Sequence, residues 1–186
     1  MTFTEKHRSR VSHLLSLPGI SRVMTLKMLQ VTLTNHMSAS EHVSDIISRC
    51  AQSMHAVRTL RCHGMNDEAL QVIYKSVVLQ KLLYASSAWW GFTSAADRHG
   101  IEAFIRRGER SGFYSADSPT AAELVSDSDD NFFRNIVNNG NYLLHKLLSE
   151  RTAHDYNLRQ RRHDLTLHVK ADNKNLLSRM LFKDTY

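Results

Sequence analysis

Val43, Ile46, Ile47, Cys50, Met54 and Val57 follow a three- and four-residue repeat. That repeat lays them on one stripe of a 3.6-residue helix and excludes the two-residue alternation of a half-buried strand. Ser40 precedes the stripe as a candidate N-cap, whose hydroxyl accepts an orphan backbone N–H. The spacing predicts a helix from there to about Arg61, closed by His63-Gly64 with Gly64 at the C′ position. With 7 glycines and 2 prolines in 186 residues, the chain lacks the turns of a sandwich or barrel.

Other segments repeat the helical pattern. Asn66 caps a second helix, with Asp67 and Glu68 in its first turn beside the positive end of the dipole. Leu70, Ile73, Tyr74, Val77, Leu82 and Leu83 make this helix apolar around most of its circumference, which predicts a central position. Ser94 and Asp97 form a capping-box pattern before Ile101, Phe104 and Ile105, while Arg98, Arg106, Arg107 and Arg110 occupy the opposite face. Ser118-Pro119 opens a short helix. Ser126 to Asp130 breaks it and begins the next, which carries Phe132, Phe133, Ile136 and Val137 and stops at Asn138-Asn-Gly140. Tyr142 to Leu148 is a last short helix of this region. Beyond Glu150, Leu165 to Val169 is a candidate strand and Leu176 to Phe182 a terminal helix. Ahead of all these, Val23 to Leu33 is rich in β-branched residues and reads as a strand or hairpin arm, followed by a loop over Asn35 to Ser38.

The expectation is a mainly α fold: a helical bundle with a short N-terminal β element and a poorly ordered basic C-terminal tail. Its divisions are 1–16, unassigned; 17–38, the β element; 39–149, the helical domain; and 150–186, the basic segment. Met1 to Ser16 carries no apolar core of a signal peptide. The most apolar stretch, Val72 to Trp90, is interrupted by Lys75, Gln80 and Lys81. Two cysteines cannot make a disulfide framework. These features predict a nuclear or cytoplasmic protein, neither secreted nor membrane-bound.

The net charge of +6 is unevenly placed. Residues 1–22 hold four basic and one acidic residue, 23–150 hold twelve and thirteen, and 151–186 hold eight and four. Basic ends around a near-neutral centre suit a phosphate backbone, whose neutralisation releases counterions; they also suit a merely solvated surface.

Few groups offer chemistry. Asp127, Asp129 and Asp130 are the only carboxylate cluster, and between helices such residues cap N-termini more readily than they hold divalent cations. Cys50 and Cys62 stand twelve apart with no metal-ligand spacing, and Cys50 lies on the apolar stripe as a small hydrophobe. No nucleophile turn or glycine-rich phosphate loop occurs. Trp89-Trp90 could stack bases but fits an apolar core better. What remains is cationic: Arg106, Arg107 and Arg110 on one helix face, and Arg159, Arg161 and Arg162 within Tyr156 to His163.

Taken in order, several pieces resemble the C-terminal end of the reverse transcriptase of non-LTR (LINE-type) retrotransposons. Pro18-Gly-Ile-Ser-Arg-Val23 and Leu26 to Leu33 resemble the strand that closes the palm. Ser40-x-His42-Val43, Ile46-Ile47 and Arg49-Cys50 resemble the helix after it. Leu60-Arg-Cys-His-Gly64, Tyr74 to Leu79, Leu83-Tyr-Ala-x-x-Ala-Trp-Trp-Gly91, Ala95 to Arg98 and Phe104 to Arg107 resemble the helical thumb. Tyr156-Asn-Leu-Arg159, Arg162 and Met180 to Tyr186 resemble the family's final segment, so the likeness runs over roughly residues 17 to 186. Gln30 stands where the family usually has Gly, which predicts an altered or strained backbone. Gln160 stands for a frequent Pro. The family's aromatic-Ala-Asp-Asp palm motif and its finger motifs are not in this sequence.

The resemblance implies a parent RNA-directed DNA polymerase, and a chain truncated before the catalytic palm and inactive alone. It implies no cofactor in this chain, since Mg would belong to the missing palm. Its partners would be RNA and DNA, as template–primer or element RNA. By position, Arg58 and Arg61, or Arg106, Arg107 and Arg110, would meet duplex phosphates, and Arg159, Arg161 and Arg162 would bind nonspecifically. The alternative is a helical protein–protein module, or a decayed reading frame without a selected role. In either case, apolar surface over Val23 to Leu33, deprived of its palm neighbour, could drive self-association.

Overall fold

A computed structural model of the chain describes residues 21, 23–151, 163–167 and 172–183. It is mainly helical, with one short antiparallel hairpin near its N-terminal end. Strands β1 (Thr25–Met28) and β2 (Val31–Thr34) pair Thr25 with Thr34 and Met28 with Val31. The single predicted strand or arm is thus a complete hairpin. Leu29 and Gln30 make its two-residue turn with φ of 47° and 69°. Two successive left-handed residues match the right-handed twist of the strands, at a steric cost that glycine would avoid. The strain anticipated at Gln30 is present.

The chain divides into two compact units. The first holds the described residues up to Ala85 together with Phe92–Ala121. Its axis is α1 (Ser40–Cys62), which buries His42, Val43, Ile46, Cys50, Met54 and Val57. Gly64 follows with φ of 86°, the left-handed stop its position predicts. Ser40 does not cap α1. It is the first helical residue, and its hydroxyl donates to Asp97 Oδ2 at 2.7 Å. A partner 57 positions away wins over the local cap. Asn66 does cap α2 (Asp67–Ile73), accepting from Ala69 N at 2.9 Å. Helical structure then continues through a π-helical segment, Tyr74–Leu79, into α3 (Gln80–Leu82). Leu70, Tyr74, Val78 and Leu82 are fully buried, but Val72 and Val77 face out, so the central helix keeps one open side. After the second unit's Ser86–Gly91, α5 (Ala95–Arg110) returns, and both halves of its capping box form between Ser94 and Asp97. It packs on α1, and its Ile101, Phe104 and Ile105 are buried. Gly108 lies against Tyr74, leaving no room for a Cβ.

The second unit comprises Ser86–Gly91 and the described residues from Ala122 onward. It contains α4 (Ser86–Trp89), nearly all of α6 (Ala121–Asn138), a 3-10 turn over Leu143–Leu147, and α7 (Leu176–Leu181). Trp89 and Trp90 are buried, as the core reading required. Phe133, Leu165 and Met180 form a cluster with Val137, Leu148, Leu176, Leu177 and Leu181 around it. The predicted break at Ser126 to Asp130 is overturned, because α6 runs through it as one helix. Aspartate is a poor helix former, but here Asp129 meets Arg179 at 3.0 Å and Asp130 meets Lys183 at 2.8 Å. These charge-assisted contacts from α7 and its end offset the local propensity, roughly 0.5 kcal/mol per residue. Asp129 and Asp130 are therefore paired within a helix and are not helix caps. Among the described residues no group of three His, Cys, Asp or Glu is placed to hold a metal. Leu165 makes an isolated antiparallel bridge to Arg151, and the end of the predicted strand, residues 168–169, lies outside the described residues. No helix among the described residues is long and apolar enough to cross a membrane.

Candidate nucleic-acid interface

Within the first unit, the last turns of α1 and α5 bring five arginines to one end. Arg58 and Arg61 come from α1, and Arg106, Arg107 and Arg110 from α5. Ser111, one residue past α5, joins them. Its Oγ accepts from Arg58 Nη2 at 3.2 Å and donates to Arg107 O at 2.9 Å, while its carbonyl accepts from Arg61 Nη1 at 2.6 Å. Cations at these C-termini are also favoured by the negative ends of both helix dipoles.

The five are not equivalent. Arg61 is bound into the fold: Nη2 pairs with Asp67 at 3.0 Å, and the guanidinium lies 4.3 Å from the Phe113 ring centroid. Little of its donor fork is left for an outside phosphate. Arg106 holds only a loose 4.0 Å pairing with Glu102, and Arg110 Nε reaches the Arg106 carbonyl at 3.4 Å. Arg107 rests over Phe104 at 5.1 Å. Arg58, Arg107 and Arg110 form no ion pair among the described residues, and with Arg106 they stay exposed. Beside them a shallow groove of about 610 Å³ runs past Arg61, Asn66, Gln71, Arg110, Ser111 and Gly112. Gln71 Nε2 donates to the Gly112 carbonyl at 3.3 Å and closes one wall.

Such an arrangement can hold anions, and the carboxylate in its lining, Asp67, is paired with Arg61. No family model, curated protein or solved structure matches this chain. The interface rests on its own geometry.

Arg159, Arg161 and Arg162 lie outside the described residues. Three groups of the first unit with shifted pKa values lie in its packing and capping. Burial pushes the Cys50 thiol up to about 11, with Lys81 pulling the other way, and its sulfur lies 3.6 Å from the Val78 carbonyl. Burial, and then the neighbouring Tyr114, Cys50 and Glu109, raise the Tyr74 phenol above its ordinary value. Burial works to raise the Asp97 carboxyl, but the Ser94 backbone N–H and the Ser40 and Ser94 hydroxyls hold it below the ordinary carboxylate range. Sequence reasoning missed the role of Ser111, because nothing local marks a serine as the junction of two helix ends.

Proposed function

We propose that this chain is the thumb and C-terminal part of a LINE-type reverse transcriptase, whose task is to grip template–primer without catalysing synthesis. The observation that supports the reading is the quartet Arg58, Arg106, Arg107 and Arg110 at the joined ends of α1 and α5. Guanidinium groups fixed on rigid helices suit phosphates, and contacts of this kind position a duplex without reading its sequence. Arg61 supports the surface by holding the two ends together. Asp67 and Glu102 lower the local positive charge without cancelling it. The polymerase carboxylates are not in this sequence, so primer extension with magnesium should yield no product. An electrophoretic shift titration with an RNA–DNA hybrid at several salt concentrations tests the grip. Binding that weakens steeply with salt supports it; no binding at low salt, or indifference to salt, refutes it.

A second reading, a protein interaction module, draws on one observation. Met24, Met28 and Leu29 on the hairpin are 64%, 61% and 86% exposed. An apolar two-stranded edge invites self-pairing. Sedimentation separates the readings: a monomer that binds hybrid supports the first, and an oligomer indifferent to nucleic acid supports the second.

A further inference from the structure

Asn139 is the one asparagine of this sequence that a glycine follows. The pair stops α6, whose last helical residue is Asn138. Asn139, Gly140 and Asn141 are all exposed, and a Cβ built on Gly140 would meet nothing within 4 Å. The turn is held on either side. Asn139 N donates to the Asn135 carbonyl at 3.1 Å, and the Asn139 carbonyl accepts from Tyr142 N at 3.0 Å. Between these bonds, the Gly140 N–H donates to no group of the described residues. It is a backbone amide in water, next in the chain to a side-chain carboxamide carbon. The two can join by closing a succinimide ring, and glycine sets no Cβ in the way.

One contact favours that step. Asn139 Oδ1 accepts from Asn141 N at 3.0 Å. As Gly140 N attacks Asn139 Cγ, negative charge develops on this oxygen, and a fixed N–H within hydrogen-bond reach stabilises it, as in an oxyanion hole. The asparagines inside α6 lack these conditions. Asn131 and Asn135 precede Phe132 and Ile136, whose backbone N–H groups lie within the helix and whose side chains crowd the approach. We propose that Asn139-Gly140 is a site of self-modification through a cyclic imide. The deprotonated Gly140 N forms a bond to Cγ, the Cγ–Nδ2 bond breaks, and Nδ2 leaves as ammonia with a proton from solvent. Water then opens the imide at either carbonyl, giving an aspartyl or an isoaspartyl residue at position 139. Nothing is oxidised or reduced. Either product sets a new carboxylate one residue beyond α6, at the negative end of its dipole, where it opposes the helix. The inference rests on this loop and depends on neither reading of the function.

Peptide mapping by mass spectrometry tests this on the full chain, sampled over days in neutral and mildly alkaline buffer, with and without urea. Residue 139 should exchange NH for O faster than Asn131 and Asn135 do, and faster as pH rises, because the nucleophile is the amide anion. Chromatography should resolve an aspartyl and an isoaspartyl product, the second being the mark of an imide. Gly140→Ala should slow the reaction by about fivefold, since a Cβ narrows the backbone conformations open to ring closure. Gly140 is exposed, so this change leaves the core intact. Conversion in the folded chain at least as fast as in urea supports the part played by the Asn141 N–H. Conversion in urea alone, an aspartyl product without isoaspartyl, or a rate that Gly140→Ala leaves unaltered overturns the proposal.

Discussion

Removing Arg61 separates a fold-holding arginine from a phosphate-binding one. In Arg61→Ala the Ser111 carbonyl loses a 2.6 Å charge-assisted bond, worth about 1.5–3 kcal/mol. The Asp67 pairing adds little, roughly 0–1 kcal/mol, because Asp67 is 75% exposed. Lifting the guanidinium from Phe113 removes about 0.5–2 kcal/mol more. These interactions share one side chain and do not simply add, so the expected loss is about 2–4 kcal/mol. Arg110→Ala, whose Nε makes only a 3.4 Å approach to the Arg106 carbonyl, should stay within about 0.5 kcal/mol. Urea unfolding measures both, and hydrogen exchange at residues 58–65 and 108–113 localises the effect. Because the chain has two compact units, exchange is the cleaner readout. A loss below about 0.5 kcal/mol for Arg61→Ala, with exchange unaltered, would refute the assignment and return Arg61 to the solvated surface.

Other expectations arise from particular side chains. Gln30→Gly should stabilise the hairpin by about 1 kcal/mol by relieving a left-handed residue, read as a raised urea midpoint. Gly91→Ala should loosen the second unit, because a Cβ there would overlap the Lys174 carbonyl; faster exchange across α7 checks it. Asp97 is held below its ordinary pKa, so its contribution is complete above the unfolded value near pH 4 and is lost as pH falls through the lower folded value. Asp97→Asn should therefore cost about 1 kcal/mol at pH 7 and progressively less as pH falls below about 4, measured by thermal unfolding across that range. Exposed Cys62 should react with a thiol reagent well before buried Cys50, whose thiol stays protonated to about pH 11.

The sequence made legible whatever is decided within a turn or two. The α1 stripe, the Gly64 stop, the Asn66 cap and the Ser94–Asp97 box all depend on spacings of a few residues, and each stands where its pattern predicts. Long-range chemistry was not legible. The continuity of α6 depends on Arg179 and Lys183, about fifty residues downstream of the aspartates they meet. Ser40 leaves its cap for Asp97, and Arg61 leaves the surface for Ser111. Leu29-Gln30 carries no turn residue, so the hairpin showed only as one extended run. Within the arginine cluster, helical spacing revealed which cations share a face, but not which of them the fold itself consumes.

The salt dependence of hybrid binding tests the central claim most directly. Fluorescence anisotropy with a labelled RNA–DNA hybrid should give a log affinity that falls linearly with log salt. Changing Arg106, Arg107 and Arg110 together to alanine should flatten that slope by roughly 0.7–0.9 for each phosphate no longer neutralised. An unchanged slope in that variant, with wild-type affinity at every salt concentration, would contradict the account.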